Sequence, residues 1–197
     1  EKIKETIAAG GKVLYLLPEI ALTTQIINRL KKYFGNCIGV YHSKFNANER
    51  VEIWNNVLSG KGYDIIIGAR SALFLPFKNL DLVIIDEEHE NSFKQYDPNP
   101  RYHARDAAIV LANISNAKVI LGTATPSLET WHNATRVDYK YNFLKLTERA
   151  VKDASLPEIK TILVNDKTKN GISRLLVDSI NDRLNRKEQS LIFINRR

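Results

Sequence analysis

Four consecutive residues, Asp86-Glu87-Glu88-His89, follow the uncharged run Leu82-Val83-Ile84-Ile85. A short β-branched run without charge is the pattern of a strand covered on both faces of a parallel sheet. Carboxylates at its end are costly to bury unless a cation meets them. In open α/β sheets, ligands bind in the crevice at the carboxyl ends of the strands. The chemistry available to such acids is phosphoryl transfer: Asp86 would hold Mg²⁺ on a nucleotide, and Glu87 would orient and deprotonate the attacking water. Glu88 would support the site, and His89 would pair with a neighbouring carboxylate or report nucleotide state to another element. A single acid after a strand more simply caps the next helix. Three acids and a histidine in succession favour catalysis.

A second turn, Gly122-Thr123-Ala124-Thr125-Pro126, follows the aliphatic stretch 119–121. Glycine permits close backbone approach there, and the hydroxyls of Thr123 and Thr125 can bridge polar groups at a strand edge. On a parallel strand next to 82–85, this turn would lie beside Asp86. A hydroxyl relay could then couple hydrolysis to movement between lobes. Pro18-Glu19-Ile20-Ala21-Leu22-Thr23-Thr24 opens a helix with free N–H groups and hydroxyls, suited to a sugar-phosphate backbone. Gly68-Ala69-Arg70-Ser71-Ala72 adds a guanidinium and a hydroxyl, and His42-Ser43-Lys44 adds a third polar loop. Each alone is an ordinary helix start. Three on one sheet edge favour a groove for a nucleic-acid strand.

The loop 90–105 carries Phe93, Lys94, Tyr96, Arg101, Tyr102, His103 and Arg105. Rings interleaved with cations supply stacking for bases and charge for phosphates. The alternative is a loop whose aromatics fold back onto the protein. Its direct attachment to Asp86-Glu87 means that movement in one strains the other.

These residues must be carried by alternating strands and helices. The periodicity predicts a helix end over 2–9 stopped by Gly10-Gly11, strands at 13–17, 38–41, 64–67, 82–85 and 119–121, and helices at 20–34 and 104–113. Asn46 or Asn48 would cap a helix carrying Val51, Trp54, Val57 and Leu58, and Pro126 would open a short helix around 128–131. Alternation of this kind calls for a mostly parallel α/β sheet with right-handed crossovers. Residues 139–146 alternate weakly, as an edge strand would. The segment 147–158 reads as a linker, and 159–164, 175–184 and 190–194 read as the opening βαβ of a second domain.

The chain has 197 residues, 44% of them hydrophobic, enough for one α/β domain and the start of another. Its formal charge of +7 points to a polyanionic partner, most often nucleic acid. The single cysteine, Cys37, excludes an internal disulfide framework and a multi-thiolate zinc site within these boundaries, and is compatible with a reducing cytosol. It is expected as a small core residue. No apolar run approaches transmembrane length. No methionine occurs, and the ends read as those of an interior piece of a longer polypeptide.

Together these segments resemble superfamily-2 helicases, and among them the family of the bacterial primosomal protein N′, the replication-restart DNA helicases. The resemblance rests on Leu17-Pro18-Glu19-Ile20-Ala21-Leu22-Thr23, His42-Ser43, Gly68 to Phe74, Pro76 to Leu80 and Val83 to His89. It continues through Lys94-Gln95, Arg101-Tyr102-His103-Ala104-Arg105-Asp106, Leu121 to Pro126 and Phe193 to Arg197. It weakens between about 147 and 189. The acidic tetrad alone indicates the superfamily; Arg-Tyr-His-Ala-Arg-Asp after it is far more specific.

The resemblance implies an incomplete RecA-like helicase lobe 1 over 1–146, a linker over 147–158, and the start of a second RecA-like lobe over 159–197. It implies an ATP-driven 3′→5′ DNA translocase with ATP and Mg²⁺ as cofactors, and a loop over 93–105 that couples single-stranded DNA to hydrolysis. Single-stranded and forked DNA, single-strand-binding protein and primosome-loading proteins are the implied partners, in the bacterial cytoplasm and without a membrane. No G-x-x-x-x-G-K-[ST] phosphate loop occurs in these residues, so it is expected before residue 1, and the isolated segment is expected to be inactive. The family's zinc ligands and its arginine finger are expected beyond residue 197. Rival readings are another superfamily-2 DNA translocase, or a non-catalytic DNA-binding module on a degenerate motor fold.

Overall fold

The computed structural model describes residues 1–19, 24–42, 45–148, 158–162 and 172–193. The chain divides into two compact units, Glu1–Leu144 and Lys145–Arg197. The first is built on strands β1 (Lys12–Leu16), β2 (Ile38–Tyr41), β3 (Ile65–Gly68), β4 (Leu80–Asp86) and β5 (Lys118–Gly122). All ladders are parallel, in the spatial order β2-β3-β1-β4-β5. This is the expected mostly parallel sheet flanked by helices.

Parallel pairing leaves both faces of the sheet to be covered, and the strand residues alternate between two apolar layers. On one face, Ile3 and Ile7 of α1 (Lys2–Ala8) and Ile26, Ile27 and Leu30 of α2 (Thr24–Phe34) cover Val13, Leu17, Ile65, Ile67 and Leu82. Cys37 packs against this layer, half-buried. On the other, Ile53 and Val57 of α3 (Ala47–Ser59) and Ala104, Ala108 and Ala112 of α4 (Ala104–Ile114) cover Leu14, Leu16, Ile66, Val83 and Ile85. Burying each large aliphatic side chain contributes about 1.5–3 kcal/mol. The small alanines let α4 lie close to β4, and that closeness brings its first turn to the acidic segment.

Helix α3 starts at a reciprocal cap. Asn46 Oδ1 accepts from the Glu49 N–H at 2.9 Å, and Glu49 Oε2 accepts from the Asn46 N–H at 3.0 Å. It ends at Gly60, whose φ of 72° is the left-handed conformation that favours glycine. Its buried face is Ile53 and Val57, while Val51, Trp54 and Leu58 of the same helix are exposed.

The edge strand expected over 139–146 does not form. The N–H groups of Lys140 and Tyr141 both donate to the Asn133 carbonyl, which ties the segment to helix α5 (Leu128–Thr135) rather than to β5. Phe143 packs edge-on to Trp131, centroids 5.6 Å apart, while Leu144 and Leu146 face solvent. In the second unit the expected helix is α6 (Arg174–Asn185), capped by Ser173. The described parts of its expected strands, 159–162 and 190–193, carry no ladder; Leu163, Val164 and Ile194 lie outside the described residues.

Asn46→Ala removes one half of the α3 cap and should cost about 1 kcal/mol. A shift of the urea unfolding midpoint with an unchanged m-value is the expected result.

Candidate functional site

The register of β4 against β5 places Asp86 opposite Gly122, and the Glu88 N–H donates to the Gly122 carbonyl at 3.1 Å. The acidic turn and the Gly-Thr-Ala-Thr turn therefore lie side by side at the carboxyl edge. Two hydrogen bonds and a glycine opposite define the surroundings of the Asp86 carboxylate. The Tyr15 hydroxyl donates to Oδ2 at 2.9 Å, the Glu87 N–H donates to Oδ1 at 3.1 Å, and a Cβ at residue 122 would come within 3.1 Å of Oδ1. Glycine at 122 keeps that space open. Burial, then the charge of Asp86, push the Tyr15 hydroxyl well above the ordinary phenol range, so it stays a donor.

Glu87 has φ of 51°, left-handed backbone in a residue with a side chain. Such strain costs about 1–3 kcal/mol and persists where the surroundings over-determine it. Its carboxylate is 45% exposed and lies 3.6 Å from His89 Nδ1. The same Nδ1 is 2.8 Å from Thr123 Oγ1, Nε2 is 3.4 Å from Thr125 Oγ1, and Thr123 Oγ1 accepts from the Thr125 N–H at 3.1 Å. His89 therefore touches both a neighbouring carboxylate and the Gly-Thr-Ala-Thr turn.

Glu88 differs from its neighbours. It is wholly buried, and its oxygens accept from Arg105 Nη1 at 2.9 Å, the Ser127 N–H at 2.8 Å and the Thr130 hydroxyl at 2.9 Å. Ser127 Oγ caps α5 and also accepts from Arg105 Nη1 at 2.7 Å. Burial works against the charged form of Glu88, yet the Ser127 N–H, Arg105 and the two hydroxyls outweigh it and hold the carboxyl below its ordinary range. Each of these partners is a protein group, so Glu88 braces the acidic turn against α4 and α5. Ser127, Thr130 and Tyr15 were not among the expected site residues. A serine directly after Thr125-Pro126 and three before Thr130 is a helix-cap signal that could have marked Ser127. Nothing in the strand pattern distinguished Tyr15.

The loop 90–105 is a folded flap. A 3-10 turn spans Asn91–Phe93, Lys94 bridges His103 antiparallel, and the Gln95 N–H donates to the Tyr102 carbonyl at 2.9 Å. Two expected nucleic-acid contacts are corrected here. Phe93 is buried in the core, and Arg105 is 7% exposed with its guanidinium spent on Glu88, Ser127 and Asp106. Arg70 is also turned inward, donating to the Ser92 and Lys94 carbonyls at 3.2 and 3.1 Å, so it clasps the flap base. Lys94 Nζ donates to the Arg101 carbonyl at 3.0 Å, and Tyr102 packs edge-on to Phe74 at 5.1 Å. Burial pushes His103 below the ordinary imidazole range, and its Nδ1 has no hydrogen-bond partner among the described residues. Tyr96, 66% exposed, and Arg101 are the ring and the cation left facing outward.

Along the rest of the edge the expectations divide. Pro18 is fully buried, which corrects its expected surface role, while Glu19 is exposed. Ser71 is half-buried in the 3-10 turn Arg70–Phe74, and the half-buried His42 lies 6.3 Å from the Phe45 ring. Thr23 and Ser43 lie outside the described residues. Among the described residues no three His, Cys, Asp or Glu side chains form a metal cluster. The Asp86 carboxylate, hard and half-exposed, fits Mg²⁺ of the kind held by one protein acid and completed by phosphates and water.

The family model described as DEAD/DEAH box helicase matches residues 1–134. This chain belongs to that helicase family. The replication restart protein PriA of Haemophilus influenzae is 43% identical over 99% of the chain and 26% of its own length. That of Rickettsia conorii is 44% identical over 99% of the chain and 30% of its own length. The chain thus spans under a third of these relatives. A structure of RecG bound to a three-way DNA junction aligns at a TM-score of 0.46 and 21% identity, covering 67% of this chain and 16% of that one. Among the described residues, no helix of this helicase-family chain is long and apolar enough to cross a membrane.

Arg105→Ala leaves Glu88 buried without its cation and should destabilise the fold by about 3–5 kcal/mol. Because the Glu88 carboxyl is held low, the stability it adds is complete above the ordinary glutamate pKa of 4.5 and is lost as pH falls through the lower folded value. Unfolding free energy measured against pH should therefore drop on acidification in the parent, and less steeply in Glu88→Gln.

Proposed function

We propose that this chain is part of the motor of an ATP-driven 3′→5′ DNA helicase of replication restart. The observation that carries the proposal is the held Asp86 carboxylate at the carboxyl edge, with Glu87 and the His89–Thr123 contact beside it. Asp86 would hold Mg²⁺ on ATP, and that cation would neutralise charge on the phosphates. Glu87, strained and half-exposed, orients the attacking water and takes its proton. His89 carries the state of this site to Thr123 and Thr125. The flap presents Tyr96 and Arg101 to a single strand, and its base is tied to the acidic turn through Arg105 and Glu88.

The likeness to replication restart proteins supports single-stranded and forked DNA as substrates, with single-strand-binding and primosome-loading proteins as partners in the bacterial cytoplasm. A zinc-binding segment is proposed for the whole protein and not for these residues. The segment by itself, with no phosphate-loop pattern in its sequence, should turn over ATP negligibly.

In the full-length protein, Glu87→Gln should lower DNA-stimulated ATP turnover by about 10²–10⁴-fold while leaving single-strand affinity unchanged. Glu87→Gly should lose turnover equally and gain stability, because glycine accepts the left-handed backbone without strain. Undiminished turnover in either variant contradicts the assignment.

A further inference from the structure

Tyr15 sits in the middle of β1, where its Cα pairs with Ile67 on one side and Ile84 on the other. Asp86 follows Ile84 by two positions on a parallel strand, so it shares the face that Tyr15 presents. That diagonal is about 7–8 Å between backbones, a span a tyrosine ring covers and a valine or leucine does not. The β1 residues Val13, Leu14 and Leu16 are wholly buried and apolar, whereas Tyr15 is half-buried and ends on Asp86 Oδ2 at 2.9 Å. A phenylalanine would fill the same space without the donor.

We propose that Tyr15 is a positioning residue for Asp86: its hydroxyl fixes the carboxylate in the rotamer that presents the acid to the metal of a nucleoside triphosphate. The inference rests on the reading of Asp86 as the Mg²⁺-holding acid. An aspartate at a strand end is free to rotate about Cα–Cβ. Here the Tyr15 hydroxyl on Oδ2 and the Glu87 N–H on Oδ1 restrict that freedom, each holding a different oxygen. The hydroxyl also occupies one acceptor site of Oδ2 and so directs the other lone pairs of the carboxylate toward the open side. Such partners of a metal-holding side chain typically matter by 10–100-fold in affinity or activity.

The test uses the full-length protein and Tyr15→Phe. Mg²⁺-dependent binding of a non-hydrolysable ATP analogue, followed by calorimetry, should require about tenfold more Mg²⁺. DNA-stimulated turnover should show the same rise in half-saturating Mg²⁺, with kcat at saturating Mg²⁺ within about twofold of the parent. A half-saturating concentration does not depend on the fraction of active protein, so partial misfolding does not imitate the effect. Unchanged Mg²⁺ dependence, whether or not kcat falls, overturns the proposal and leaves Tyr15 a packing residue. Asp86→Asn serves as the reference. If it too leaves the Mg²⁺ dependence intact, the reading of Asp86 has failed and the Tyr15 inference falls with it. If Asp86→Asn abolishes Mg²⁺-dependent binding and Tyr15→Phe does nothing, only the inference has failed.

Discussion

A carboxylate removed from water must be paired, and the pairing of Glu88 organises everything around the site. Its partners come from three places in the chain: Arg105 in the first turn of α4, Ser127 at the cap of α5, and Thr130 one turn further on. Its own N–H is bonded to the carbonyl of Gly122. The acidic turn, the end of the flap, the Gly-Thr-Ala-Thr turn and α5 are therefore held at one point. A shift of any of them separates a buried charge from its cation. With Glu88 committed inward, Asp86 and Glu87 are left at the open edge with their orientations set.

The cost of this arrangement is visible nearby. Glu87 takes left-handed backbone, and Ser92 Oγ and His103 Nδ1 are buried without hydrogen-bond partners among the described residues. Both orphaned groups belong to the flap, which Arg70 holds at its base through two carbonyls. Departures from local rules that gather in one region are the mark of a segment shaped for work rather than for stability. The proposed motor gives them a use: a flap that registers a bound strand and an acidic turn that cannot ignore it.

Much of the fold was legible from residue pattern. Uncharged β-branched runs such as Ile65-Ile66-Ile67 and Leu82 to Ile85 identify interior parallel strands because both of their faces are covered. The adjacency of Gly122 and Asp86 was expected on condition that their strands are neighbours, and the register meets that condition. What was not legible is direction. In a run of acids at a turn, a left-handed residue decides which carboxylate faces inward, and no spacing rule reports φ. Arg105 was taken for a DNA-facing cation by its company of aromatics. Yet Ala104, Arg105, Ala108 and Ala112 form one buried stripe at helical spacing, and the periodicity of α4 would have turned it inward. Phe93 lies inward for a different reason, since its loop closes on the core before it opens to solvent. The edge strand expected over 139–146 failed because alternation without a facing layer has nothing to bury.

The most direct test of the account is a double-mutant cycle on Glu88 and Arg105, with Glu88→Gln, Arg105→Met and the pair compared by urea unfolding. If the buried ion pair holds these segments together, the two changes together should cost at least about 1.5 kcal/mol less than the sum of each alone. Additivity within about 0.5 kcal/mol would mean that the two side chains do not depend on each other, and would contradict the account.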